Sequence, residues 1–217
     1  MDRFAPNHRI CYVCMTTRAR RSWTSGTHRR VLARFQSLKV GAHKADVFRY
    51  CYLRIHGGIY MDVKTVLTRD VANMFPDRLK AHTVLSWATT AGRSDTEVYQ
   101  GIIASPPNNA FFDSLIQHVV ETSNWDLGID YLSFTKEFGV KLATDLGTLK
   151  LTLGEHPVVA TKTTSLRCNW VLWGEIEADD AMATCGGYDR YGFCMIMKDK
   201  DGKTLGQIRD IRFGSSW

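Results

Sequence analysis

Acidic residues are almost missing from the first 50 positions. Only Asp2 and Asp46 stand there, against eleven Lys or Arg, although the whole chain is only +6. The rest of the chain is therefore net acidic. A basic block of this kind suits polyanions, either nucleic acid or an anionic small ligand drawn in by its field. The aromatic–basic interleaving of RNA-binding motifs is lacking, which argues against nucleic acid as the partner. No apolar run approaches the roughly 20 residues of a membrane-spanning helix. Arg9 to Met15 is basic and then apolar, but too short for a signal-peptide core. There is also no N-x-S/T sequon. The expectation is a cytoplasmic protein without a membrane span, either an enzyme or a domain of something longer.

Cysteine is modest in number and poorly spaced for metal. Cys11 and Cys14 form one C-x-x-C, and no second such pair follows among Cys51, Cys168, Cys185 and Cys194. Reduced, mostly buried thiols fit better than a zinc site. With only five prolines, no repeat and no low-complexity linker in 217 residues, one domain over 1–217 is expected.

What is present is organised around Lys44 to Lys64. Ala45 to Ile55 lacks Gly and Pro, and Phe48, Cys51, Tyr52 and Ile55 recur at helical spacing. Asp46 and Arg49 are three apart, neighbours on another side of that helix. Gly57 and Gly58 end it, with glycine expected in the left-handed position. Ile59 to Val63 then alternates as a strand, with Tyr60, Asp62 and Lys64 on one side. Charges at a strand's end suit a ligand site at the carboxyl edge of an α/β sheet. Taken alone, the charges also suit a helix-dipole contact, a surface ion pair and solvated strand ends.

The order of Ala45, Asp46, Arg49, Tyr50, Leu53, Gly57, Gly58, Ile59, Tyr60 and Asp62 resembles the sugar-nucleotide segment of glycosyltransferase family 32. Its GT-A relatives, the yeast-type mannosyltransferases and, distantly, the clostridial glucosylating toxins, share it. Family members also occur in large algal viruses, where they build capsid glycans. The resemblance implies an α/β fold: a single GT-A-type domain with a central mixed β-sheet flanked by helices. It implies transfer of a hexose from a UDP-sugar, such as UDP-glucose, to a glycan or glycoprotein acceptor, with retention. Asp46 and Arg49 would hold the donor sugar and Tyr60 would line its pocket. Asp62 would touch ribose or a metal, Mn²⁺ or Mg²⁺. The usual D-x-D reads Asp62-Val63-Lys64 here. Either Lys64 itself offsets the diphosphate, or the metal still binds through Asp62, phosphates and waters.

Along the rest of the chain the pattern is strand–helix alternation. Arg9 to Met15 reads as the first strand. The resemblance places a nucleotide-binding loop after it, at Thr16 and Thr17. His82 to Trp87 and Val98 to Ala104 read as strands, and Ala110 to Thr122 as a helix with Phe111, Leu115 and Val119 inward. Gln100 stands where relatives carry a polar residue by the donor sugar, and joins Asp62 as a catalytic candidate. Asn124 to Asp130 reads as a loop, and Tyr131 to Lys150 as a helix interrupted near Gly139. Short strands are expected at Lys150 to Leu153 and Val158 to Thr161, and a sheet segment at Arg167 to Trp173. Tyr188 to Met197 and Thr204 to Phe213 read as a hairpin. The toxin relatives close their site with a Ser-x-Trp element, for which Ser215, Ser216 and Trp217 are the counterparts. Two other readings stay open: a sugar-nucleotide-binding domain without turnover, and a basic nucleic-acid-associated domain.

Overall fold

A computed structural model describes residues 25–70, 74–75, 77–157, 168–177 and 194–209. The first-strand segment, Thr16, Thr17, Val158 to Thr161 and the Ser215–Trp217 element lie outside the described residues. Helices α1 (Ser25–Ser37) and α2 (Gly41–His56) lead into strands β1 (Gly58–Met61) and β2 (Thr65–Leu67). Then follow β3 (Ala81–Leu85), a short α3 (Trp87–Thr90), β4 (Val98–Ser105), α4 (Phe111–Glu121), α5 (Asn124–Ile129) and α6 (Ser133–Leu146). Strands β5 (Gly154–His156), β6 (Trp170–Glu177), β7 (Cys194–Asp199) and β8 (Thr204–Arg209) complete the order.

The strands form one mixed sheet in the order β1-β4-β3-β6-β7-β8-β2, with β5 also on β6. β3 and β6 are parallel; the other pairs are antiparallel. This is the α/β architecture expected of a GT-A-type domain. β1 and β2 end the order at opposite sides, yet only three residues join them. The sheet therefore rolls until its two ends meet at Asp62–Lys64. The main core lies between the sheet and α1, α2, α4 and α6, around Phe111, Phe138 and Trp170. On the other face, Val84, Ile102 and Ala104 meet Met197, Leu205 and Ile208 of the rolled-over strands.

Several elements depart from the sequence pattern. α2 buries Val47, Tyr50, Cys51 and Leu53, while Phe48 and Tyr52 are only half-buried. Its inward face also carries His43, Asp46 and Arg49, so charged residues occupy buried positions that a hydrophobic count assigns to solvent. β1 stops at Met61, not Val63, and its burial is inverted: Ile59 and Met61 are exposed while Tyr60 is partly covered. Gly57 has positive φ but an extended ψ of −154°, so it is not the left-handed cap. A Cβ there would stand 2.4 Å from the Pro107 nitrogen, so close approach as well as conformation demands glycine. Asn124–Ile129 is a helix rather than a loop. Ser123 caps it in a capping box with Asp126, a signal present in the Ser123-x-x-Asp126 spacing.

Helix α6 runs through Gly139 without a break. That glycine is there for contact: a Cβ would fall 1.9 Å from the Thr96 carbonyl oxygen. Gly139→Ala is expected to destabilise the protein by about 1–3 kcal/mol, the usual cost of overpacking. Urea unfolding checks this; a variant as stable as the parent would mean that the Thr96 loop yields freely.

Candidate active site

The site forms where α2 crosses β1 and β4. Asp46 and Arg49, one turn apart on α2, both turn inward, and Arg49 is the hub. Its Nη2 lies 3.1 Å from Asp46 Oδ1 and 3.6 Å from Asp62 Oδ1. Nη1 donates to the Gln100 carbonyl at 2.6 Å, and Nε donates to the Ala45 carbonyl at 3.4 Å. The guanidinium also lies over the Tyr60 ring, 4.6 Å from its centroid, a cation–π contact strengthened by burial. Tyr60 in turn donates its hydroxyl to Asp62 Oδ1 at 2.7 Å. Four of the residues singled out in the sequence, Asp46, Arg49, Tyr60 and Asp62, thus meet in one network.

Burial sets the protonation of this network. It pushes the Asp46 carboxyl up, to about 6, against the pull of Arg49 and His43. Burial opposes the Arg49 charge as well, but Asp46, Tyr60 and Asp62 outweigh it and hold the guanidinium protonated. The Tyr60 hydroxyl is also driven up by burial and remains a donor.

The turn bearing Asp62 is fixed from β4. The Asp62 amide donates to the Gly101 carbonyl at 2.8 Å, and the Thr65 amide donates to the Asp62 carbonyl at 2.9 Å. The Thr65 hydroxyl donates to the same Gly101 oxygen at 3.3 Å and lies 2.8 Å from the Tyr99 hydroxyl. Because a carbonyl only accepts, Thr65 spends its proton on Gly101 and Tyr99 must donate to Thr65. Neither Thr65 nor Tyr99 carries a local sequence signal; their meeting depends on the sheet rolling up.

Gln100 sits beside the network but faces away from an open site. Its side chain is buried, with Oε1 accepting from Tyr50 Oη at 2.7 Å and Nε2 donating to the Phe134 carbonyl at 3.4 Å. Its backbone, not its amide, reaches Arg49. Lys64 lies in the exposed turn beyond Asp62. Tyr50, which the sequence marked only as part of the motif, is the core-side tie between α2, β4 and α6 through Gln100 and Phe134.

Asp62 also decides whether a cation fits. Its Oδ1 is occupied by Tyr60 and Arg49, but among the described residues Oδ2 has no hydrogen-bond partner, and the side chain is partly open to solvent. Hard divalent cations are often held by one or two carboxylates plus substrate phosphates. The residues present fit that mode, with Asp62 as the protein ligand. Among the described residues no group of three or more His, Cys, Asp or Glu is placed to hold a cation without substrate.

Residues 4–85 match the family described as the glycosyltransferase sugar-binding region containing DXD motif, a span that includes Asp46, Arg49, Tyr60 and Asp62 but not Gln100. The family 32-like resemblance read from the sequence therefore stands. The chain is also 30% identical over 114 residues to an uncharacterized glycosyltransferase of Acanthamoeba polyphaga mimivirus, an overlap of 51% of this chain and 40% of the relative. The overlap thus spans less than half of that relative's length. No solved structure matches the chain significantly. Among the described residues no helix is long and apolar enough to cross a membrane.

Proposed function

We propose that this chain is a glycosyltransferase that moves a hexose from a UDP-sugar, of the UDP-glucose type, to a glycan or glycoprotein acceptor with retention. The observation that carries the reading is the convergence of Asp46, Arg49, Tyr60 and Asp62 at the end of β1. Breaking an anomeric bond to a diphosphate proceeds through an oxocarbenium-like state and leaves negative charge on the departing nucleotide. The donor hexose needs acceptors and forked donors at fixed spacing, and Asp46 with Arg49 offers both. Asp62 would face the diphosphate, and Lys64 in the exposed turn beyond it would supply a positive charge. Mn²⁺ or Mg²⁺, when bound through Asp62 and the phosphates, would offset the leaving-group charge. Gln100, held by Tyr50 and Phe134, acts as a positioning residue for Arg49. Lys64 in place of a second carboxylate favours one other reading, a sugar-nucleotide binder without turnover.

Calorimetry with UDP and UDP-glucose tests the proposal. UDP should bind better than CMP or GDP, and Asp46→Ala should weaken the UDP-sugar about tenfold more than UDP, as for the loss of a charged hydrogen bond. Equal losses for both ligands would assign Asp46 to helix structure alone. Sugar binding without released hexose would favour the non-catalytic reading.

The pH dependence follows from the raised Asp46 carboxyl. Its folded value exceeds its ordinary value of about 4, so its contribution to stability is full below about 4 and is lost as pH rises past 6. Ionised Asp46 is the form that accepts sugar hydroxyls. UDP-sugar affinity is therefore expected to fall about tenfold between pH 7 and pH 5, with UDP affinity much less affected. A UDP-sugar affinity that is flat over this range would show that Asp46 does not bind the sugar as a carboxylate.

A further inference from the structure

Helix α5 carries an apolar surface for which the donor site has no use. Trp125 is 76% exposed and Ile129 71%, and they are one turn apart on the same face. Tyr131 and Leu132, just beyond the helix, are also exposed, as is Val40 at the start of α2. These residues belong to one surface because both ends of the segment are tied to the α1–α2 turn. Asn124 Nδ2 donates to the Ser37 carbonyl at 3.1 Å and its Oδ1 accepts from Arg34 at 2.7 Å. At the other end His43 Nε2 donates to the Tyr131 carbonyl at 2.9 Å.

The α1 side of this surface carries one sign of charge. Residues 25–45 contain five Lys or Arg and no Asp or Glu. Arg29, Arg30 and Lys39 are exposed, and Lys44 lies over the Phe35 ring. The two acids of the α5 segment are already engaged. Asp126 closes the Ser123 capping box, and Asp130 accepts from Lys136 at 2.9 Å. We infer that this corner of the helical layer, Trp125 and Ile129 flanked by the basic α1 and α1–α2 turn, docks the protein peripherally on an anionic phospholipid surface.

Area and charge together favour lipid over a protein partner. A stable protein interface takes roughly 800 Å² per side, far more than a few side chains on a six-residue helix provide. A lipid interface needs only amphipathic anchors such as tryptophan, at headgroup depth, beside Lys and Arg. Each cation near an anionic leaflet strengthens partitioning about fivefold. The patch begins at Val40, and Asp46 lies six residues further along α2, about 9 Å at the helical rise. Docking would therefore hold the donor site close to the membrane surface, although the inference itself does not rest on the donor reading.

Co-sedimentation of the full chain with vesicles tests it, using phosphatidylcholine alone and phosphatidylcholine with phosphatidylserine at about 0.1 M salt. The parent is expected to pellet with the anionic vesicles only. Trp125→Ala/Ile129→Ala should lower partitioning at least about tenfold, and Arg29→Gln/Arg30→Gln about 25-fold. Both pairs are exposed and outside the donor site, so unchanged urea midpoints verify that the variants fold. A parent that stays in the supernatant, or an apolar variant that pellets like the parent, overturns the inference. So does sedimentation equilibrium showing a parent dimer that the apolar variant loses, since the surface then belongs to a second copy. Equally tight binding of a random oligonucleotide that survives Trp125→Ala/Ile129→Ala would assign the basic side to nucleic acid and also overturn it.

Discussion

Replacing Arg49 by Ala is expected to cost about 3–5 kcal/mol of stability, the usual price of removing one partner from a buried ion network. Arg49 stands between two carboxylates, 3.1 Å from Asp46 and 3.6 Å from Asp62. Without it, Asp46 stays buried beside a like charge, and the Gln100 carbonyl loses its 2.6 Å donor. The loss should depend on pH in a defined sense. Burial already raises Asp46 to about 6, and loss of the cation raises it further. The variant therefore gains protons on folding near neutrality, and its deficit should shrink as pH falls from 7 to 5. Arg49→Lys should be intermediate, because an ammonium cannot replace the fork that serves two carboxylates and a carbonyl. The double variant Arg49→Met/Asp46→Asn should be more stable than Arg49→Ala, since it removes the unpaired charge along with its partner. Urea unfolding at pH 5 and 7 measures all of these. A loss under about 1 kcal/mol, independent of pH, would mean that water solvates the network and that burial does not govern it.

How much of this was legible in the sequence depends on which forces set each element. Helix α4 was readable because its burial follows local periodicity: Phe111, Leu115 and Val119 are all inward. Helix α2 was readable as a helix but not in its facing, because Asp46 and Arg49 satisfy one another and so occupy inward positions that composition alone gives to Phe48 and Tyr52. β1 was readable as an alternation but not in its sense, since as an end strand of the rolled sheet it exposes Ile59 and Met61. Gly139 reads as a helix breaker when its neighbour, the Thr96 carbonyl, is unknown. Asp46, Arg49, Tyr60 and Asp62 were legible as a group because they are near in sequence and resemble a family segment, and the structure brings the four into contact. Gln100 was read as lying by the donor sugar; in the structure its carbonyl meets Arg49 while its amide faces Tyr50 and Phe134, contacts that come from 50 and 34 residues away. The Thr65–Tyr99 tie was beyond reach for the same reason: it requires two ends of a sheet to meet.

Asp62→Asn is expected to weaken UDP about a hundredfold in the presence of Mn²⁺, a loss of about 2.7 kcal/mol, and to leave the fold intact. The fold should survive because the amide oxygen of the substituted side chain still accepts from Tyr60, whose hydroxyl now donates at 2.7 Å to Asp62 Oδ1. What the variant lacks is the charge on the second oxygen, which has no hydrogen-bond partner among the described residues and lies at the mouth of the network. A lone carboxylate facing a diphosphate repels it unless a cation intervenes. The parent should therefore lose most of its UDP affinity in EDTA, and Asp62→Asn should respond little to Mn²⁺ or EDTA. Lys64 sets the alternative outcome, since its ammonium stands in the adjacent exposed turn where a second carboxylate is usual. With a cation on Asp62, Lys64 must turn toward phosphate oxygen or away from the site, because like charges at contact are unfavourable. Lys64→Ala then weakens UDP only several-fold. If instead the parent binds UDP equally well in EDTA, and Lys64→Ala removes that affinity while Asp62→Asn strengthens it, Lys64 is the main counter-charge of the diphosphate and Asp62 serves only to orient Tyr60 and Arg49.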